Sequence, residues 1–282
     1  MKLLFFLAVW KRPGITEICF MGLNRLKNTG LFPMEFLAVI SEDSMIPLCN
    51  KYGIDYVFYK NQPLGEKKNF GLTEAFKKDW DYLVELGSDD LIKNEYLEVI
   101  KPHLGEQLLG INNLAFINSE TGECNVMQTN TWFGLCRMIR RDSLEKITRG
   151  VEFAATQDII AIGRTVNSGK VGFFPKDQAL DFERSGFGKI VSEEKHKLWN
   201  DNQQTGLDNN SSLFMAVNGI LGKKIKCNNP VAIDIKGPDN IWPYNPAAGF
   251  SCDLETLLTG LSNDEQSAIA TMIKRNQTVE YA

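Results

Sequence analysis

The chain has only two histidines, His103 and His196, and no two of its six cysteines stand at CxxC spacing. Neither a zinc site nor a dithiol redox motif is indicated by that pattern. His196 falls in the charged stretch SEEKHKLW, which reads as a solvated helix face. The cysteines (Cys19, Cys49, Cys124, Cys136, Cys227 and Cys252) are scattered, and they read as buried free thiols of a reducing compartment. There is no long basic run, and the net charge is -4 with a pI near 5.4, which argues against nucleic acid as a partner. No apolar stretch is long enough to span a bilayer. The opening MKLLFFLAVWKRPG has a single early lysine and a short apolar run, but no small-residue cleavage site. Basic residues and a proline follow it, so it reads as a buried first strand rather than a signal peptide. A cytoplasmic location is the resulting expectation. Internal repeats and low-complexity tracts are also missing.

What remains is a chain of 282 residues with 43% hydrophobic content, enough for a sizeable core. Its first hundred residues alternate regularly. Strands are predicted at Lys2–Val9, Glu35–Ile40, Ile54–Tyr59 and Asp81–Leu86. Helices are predicted between them: Pro13–Asn28, ended by Gly30; Ser44–Tyr52, ended by Gly53; and Leu64–Lys78. Strands separated by helices indicate βαβ units and a mostly parallel sheet covered on both faces. After Asp90 the pattern changes to a helix at Asn94–Leu104 and an antiparallel excursion at 108–128 turning near Glu120–Glu123. A strand TWFGLCRMI, a helix RRDSLEKI, a helix TQDIIAIGRTVNSG and a strand KVGFF follow. RSGFG reads as a loop, and Ser262–Arg275 as a terminal helix capped by Ser262 or Asn263. The expected division is a domain over 1–225 and an irregular extension over 226–282 packing on it.

The stretch DYLVELGSDDLI is the most informative. An apolar run ends at Gly87-Ser88 and delivers Asp89 and Asp90 together. At the carboxyl end of a buried parallel strand, that is where ligands bind in open α/β sheets. Adjacent carboxylates repel and resist burial, so they favour a hard divalent cation such as Mg or Mn, shared with substrate phosphates. The competing reading is an Asp-rich turn that caps the next helix.

Several features then line up in one order: WKRPG after the first strand, SEDS after the second, and GEKKNFGLTEA on the third helix. GSDD follows the fourth strand, and QDIIAIGRTVNSG comes later. This order resembles the family 2 glycosyltransferases of the GT-A fold, over residues 1–175. The matching positions are Arg12-Pro13, Glu42-Asp43, Lys68-Asn69 with Ala75, Asp89-Asp90, and Asp158 with Arg164 and Gly169. The chain departs from the pattern at Gly87, where the family usually has a further Asp, and at Gln157, where an acid often stands.

The resemblance implies a GT-A-type α/β fold and a nucleotide-diphospho sugar donor. The implied reaction moves a hexose-type sugar to an acceptor hydroxyl with inversion. It implies Asp90 as ligand of a Mn or Mg cofactor and Asp89 toward the sugar or ribose. Arg12, Pro13, Glu42, Asp43 and Lys68 would lie around the nucleotide, and Asp158 would be the general base. For Asp158 the competing reading is a helix N-cap; for Glu42 and Asp43, helix capping; for Lys68, an exposed helix lysine. Asn69 reads as a contact between the third helix and a neighbouring loop. In the C-terminal third, Asp234, Lys236, Asn240, Ile241 and Trp242 lie in one loop-like stretch. There Trp242 and Tyr244 read either as an acceptor platform or as core packing around a Gly237-Pro238 turn. Two other function classes stay open. A nucleotidyltransferase would normally show a Gly-rich basic loop after the first strand, and WKRPGITE has one glycine. A non-catalytic sugar- or protein-binding module on a transferase scaffold is favoured by Gly87 and Gln157.

Overall fold

A computed structural model of the chain describes residues 1–148, 198–199, 204, 206–217 and 219–279. Four parallel strands form its centre: β1 (Leu3–Ala8), β2 (Met34–Ile40), β3 (Asp55–Phe58) and β4 (Tyr82–Gly87). They are joined by α1 (Pro13–Asn28), α2 (Ile46–Tyr52) and α3 (Leu64–Ala75). β1, β2 and β4 are buried along almost their whole length, which is why they read as unbroken apolar runs. Local signals set the helix ends. Pro13 occupies the first turn of α1, and Gly53 adopts the left-handed conformation that closes α2.

The chain then leaves the centre through β5 (Asp90–Ile92) and α4 (Glu95–Ile100), followed by β6 (Leu108–Ile111), β7 (Asn113–Asn118) and β8 (Cys124–Gln128). Next come β9 (Arg137–Arg140), α5 (Arg141–Thr148), α6 (Leu207–Val217), β10 (Gly222–Ile225) and β11 (Ala232–Lys236). The last described elements are β12 (Phe250–Ser251), α7 (Leu254–Leu258) and α8 (Asn263–Val279). The main sheet has the order β10-β6-β9-β4-β1-β2-β3, antiparallel only where β9 meets β4 and β6. A second sheet runs β12-β8-β7-β11-β5. The expected α/β class, a mostly parallel sheet flanked by helices, is the one observed.

One expected strand is shorter than its sequence suggests. TWFGLCRMI is extended only from Arg137; before it, Cys136 has φ 59° and Trp132 lies flat on bare backbone. A Cβ on Gly110 or Gly222 would come within 2.7 or 2.5 Å of that indole, so the glycines make room for the ring. The predicted helix TQDIIAIGRTVNSG, the strand KVGFF, the RSGFG loop and His196 lie outside the described residues.

Two buried ionic networks hold the helices to the sheets. Glu85 on β4 is 1% exposed and pairs with the fully buried Arg137 on β9 and with Lys68 on α3, at 2.9 Å. Arg137 also donates to the Asp208 carbonyl and the Ser212 hydroxyl, which fixes α6. In the second network, Glu265 is completely buried at the start of α8. It closes a capping box, accepting from the Ser262 N–H at 2.8 Å while its own N–H donates to Ser262 Oγ at 3.3 Å. The same carboxylate takes Arg25 of α1 at 2.7 and 3.1 Å, and Arg25 donates onward to the Ile92 carbonyl of β5 at 2.6 Å. Replacing Glu265 with Ala is therefore expected to cost about 3 kcal/mol, because a buried guanidinium and a helix cap lose their partner together. Urea denaturation measures the loss; a cost near zero would show that the pair contributes nothing.

Candidate functional site

The central strands run in the order β4-β1-β2-β3, so the chain winds one way from β1 to β3 and then crosses back to β4. The reversal lies between β1 and β4, where α/β sheets open a crevice at their carboxyl ends. Arg12 follows β1, and Ser88, Asp89 and Asp90 follow β4, so these residues meet there. Lys11 and Arg12 both adopt left-handed backbone angles, φ 52° and 56°, which non-glycine residues rarely hold without compensation. The compensation is visible. The Lys11 N–H donates to Glu42 Oε2 at 2.9 Å, and the Arg12 guanidinium donates to Asp89 at 3.0 Å, Asn240 Oδ1 at 2.7 Å and Ser88 Oγ at 3.3 Å.

Asp89, Asp90 and Asp234 each offer a carboxylate oxygen, all within 4.8 Å of one another. Asp234 comes from β11, which pairs with β5 so that Asp234 lies opposite Asp90. This third acid was not among the residues assigned to the site from sequence. Its signal was present as the polar stretch DIKGPDN, but only strand register places it beside Asp90. The register also gives Gly87 a physical reason. A Cβ there would stand 2.5 Å from Asp89 Oδ1 and 3.2 Å from Asp90 Oδ2. A side chain at 87 would displace the carboxylate of Asp89, and in this chain the third carboxylate arrives from β11.

The electrostatics are strained. Asp90 is 5% exposed; burial first, then the charges of Asp234 and Asp89, push its carboxyl well above the usual carboxylate range. Burial raises Asp234 to about 6, against the pull of Lys236, whose ammonium lies 2.5 Å from Asp234 Oδ2. Arg12 and the Asn240 amide hold Asp89. The other oxygen of Asp234, Oδ1, is buried without a hydrogen-bond partner. An orphaned carboxylate oxygen beside a buried acid fits a hard divalent cation. Asp90 and Asp234 would hold it, with Asp89 at its side.

The remaining residues assigned from sequence lie as follows. Pro13 is in the first turn of α1, directly after Arg12. Glu42 supports Lys11, and Asp43 is exposed in a 3-10 turn in which no side chain caps the N-terminus. Lys68 points into the buried network, 2.9 Å from Glu85 and 4.6 Å from the Trp199 ring centroid. Its neighbour Lys67 turns the other way and donates to the Val9 carbonyl at 2.6 Å, at the end of β1. Asn69 joins helix to loop as expected, bonding the backbone of Leu198 and Trp199. Asp158, Arg164, Gly169 and Gln157 lie outside the described residues.

Trp242 is 45% exposed and is not a core residue. It stacks on Phe133 at 5.8 Å and meets the edge of Phe116 at 5.9 Å. Lys236, the partner of Asp234, lies 5.5 Å from its ring centroid. A half-open aromatic wall thus stands beside the acidic cluster.

Lys67 generates a pH prediction. Its ammonium is fully buried, and burial lowers its pKa to about 7, with only the Glu42 charge opposing. A lysine depressed in the folded state costs stability in full below pH 7, and the cost fades as pH rises toward the unfolded value of about 10.4. Lys67→Met is therefore expected to raise Tm most at pH 6 and progressively less toward pH 10. Thermal melts across that range test it; a pH-independent effect would remove Lys67 as the titrating group.

No protein-family model matches the chain, and no curated protein matches it. Solved structures do resemble it. Staphylococcus aureus TarS is similar over 98% of this chain and 43% of its own, with 12% identity and a TM-score of 0.48. The TarS 1–349 structure is similar over 83% of this chain and 60% of its own, with 11% identity and a TM-score of 0.44. The chain thus spans less than two thirds of either TarS structure. The inositol-1-phosphate CTP transferase of T. maritima is similar over 96% of both chains, with 8% identity and a TM-score of 0.41. Likenesses this weak assign neither a reaction nor a substrate.

Proposed function

We propose that the protein is a GT-A-type glycosyltransferase that moves a sugar from a nucleotide-diphosphate donor to an acceptor hydroxyl with the help of Mn or Mg. The observation that carries this reading is the convergence of Asp89, Asp90 and Asp234 at the reversal of the sheet, with one buried carboxylate oxygen left without a partner. The order of sequence motifs supports it independently. When bound, the cation neutralises the negative charge that grows on a diphosphate leaving group.

The chain's own residues do the rest. Asp90 and Asp234 hold the cation. Asp89, fixed by Arg12 and Asn240, is oriented to accept a hydroxyl of the donor sugar or ribose. Glu42, just after β2, and Lys68 on α3 keep their assignment to the nucleoside side, while the fully buried Lys67 is taken up by the Val9 carbonyl. Asp158 remains the assigned base: it removes the acceptor proton in a single inverting displacement. Trp242 offers an apolar face against which an acceptor ring can lie. In this reading residues 226–282 belong to the catalytic unit, because Asp234 and Trp242 lie among them. Among the described residues no helix is long and apolar enough to cross a membrane.

Manganese with a nucleoside diphosphate is expected to raise Tm, and more so with ligand excess. Asp90→Asn keeps the shape of the side chain and removes its charge. It is expected to raise Tm of the metal-free protein, abolish the manganese-dependent rise and cut turnover at least about a hundredfold. Thermal shift with UDP, GDP, CDP and ADP, followed by product analysis of the matching donors, measures all three. Release of nucleoside diphosphate supports a glycosyltransferase. Release of pyrophosphate from a nucleoside triphosphate and a sugar phosphate would make it a nucleotidyltransferase. A manganese response unchanged in Asp90→Asn would remove the metal assignment.

A further inference from the structure

Cys124 and Cys252 are 128 positions apart in sequence, yet their sulfurs lie 3.1 Å apart. The cause is strand pairing. β12 runs antiparallel to β8 with Ser251 opposite Asn125, and the next rung is the Cys252 N–H donating to the Cys124 carbonyl at 3.1 Å. The Cys124 thiol in turn donates to the Cys252 carbonyl at 2.9 Å. Directly opposed residues in antiparallel strands have Cα separations of about 4.5–5.5 Å, inside the range that a disulfide spans. Cys252 is partly exposed, whereas Cys124 and the other four cysteines are buried. Among the described residues no other two thiols are in hydrogen-bonding contact.

We propose that Cys124 and Cys252 are a modification site: a dithiol that a small-molecule disulfide, such as oxidised glutathione, converts to a reversible cross-link between β8 and the C-terminal segment. Cys252, the partly exposed member of the pair, attacks one sulfur of the small disulfide and expels a small thiol. The Cys124 sulfur then attacks the mixed disulfide at Cys252 and expels the second. The two cysteine protons leave on the two small thiols, and the two electrons lost by the pair are those the small disulfide gains. Burial raises the Cys124 thiol to about 12 and disfavours its attack on a free disulfide, so it reacts second, where the mixed disulfide on Cys252 is held against it.

The cross-link has a structural consequence. Cys252 immediately precedes Asp253, whose carboxylate caps α7 at Thr256 N–H, 2.7 Å away. α8 follows, and its Glu265 holds Arg25, which holds β5 two residues from Asp90. α8 also lines a hollow of about 690 Å³ whose other walls include Arg12, Gly237 and Ser119. Tying Cys252 to β8 makes this buttress a covalent part of the sheet that carries Asp234.

The test uses the full chain with oxidised glutathione as the probe. Expected are a fall in free thiols under denaturing conditions from six to four, a mass loss of two hydrogens, and one cross-linked peptide containing Cys124 and Cys252. Dithiothreitol should reverse all three. The cross-linked form is expected to melt roughly 5–10 °C higher, because the closed loop is long. Cys252→Ser, at the more exposed position, should form no intramolecular cross-link and should show no Tm gain on oxidation. Glutathione adducts that persist on Cys252, a bridge to a different cysteine, or a bridge between two chains would each overturn the proposal. None of these readouts depends on the transferase reading.

Discussion

The structure depends on placing three carboxylates where a folded chain least tolerates them. Like charges in a poorly solvated crevice raise each other's energy, and nothing in hydrophobic burial offsets that directly. Arg12 and Lys236 each neutralise one acid from the side, and the Gly87 N–H donates to the Asp90 carboxylate. Ionisation of all three acids still leaves a net negative charge, which burial resists and a cation would offset. The surrounding architecture holds the acids in place: the buried Glu265–Arg25 pair grips β5, and Asn240 closes its loop against Asp89.

The left-handed pair Lys11–Arg12 shows how the strain is distributed. A chain leaving β1 in ordinary extended or helical geometry would send the Arg12 side chain elsewhere. The turn is held by contacts from three distant segments: Glu42 after β2, Ser88 and Asp89 after β4, and Asn240 after β11. Arg12 is therefore less a free phosphate ligand than a keystone between acids. Any anion that enters must share it with Asp89.

Much of this was legible in the sequence, and the limit has a physical form. The alternation of apolar runs with capped helices specifies β1 to β4 because each signal is local. Asp89 and Asp90 are legible for the same reason: they end a strand. Asp234, Asn240 and the Cys124–Cys252 pair are not, because their neighbours are set by register between strands far apart in the chain. Lys67 and Lys68 illustrate a third limit. Adjacent helical residues point about 100° apart, and a helix with neighbours on several sides gives no pattern to say which lysine meets β1 and which meets β4. Trp242 was ambiguous between platform and core because composition does not report exposure. Asp158 lies outside the described residues, so its assignment as base rests on motif order alone.

The pairing of β5 with β11 has an outcome in time as well as in space. Among the described residues β5 has one ladder partner, β11, and β11 also brings the third acid of the cluster. During synthesis the first two acids emerge roughly 145 residues before the third. Until that later strand docks, β5 lacks the one ladder partner found among the described residues, and the acidic cluster is incomplete. The three-acid cluster is thereby completed only at the closing stage of folding, when its last strand is in place.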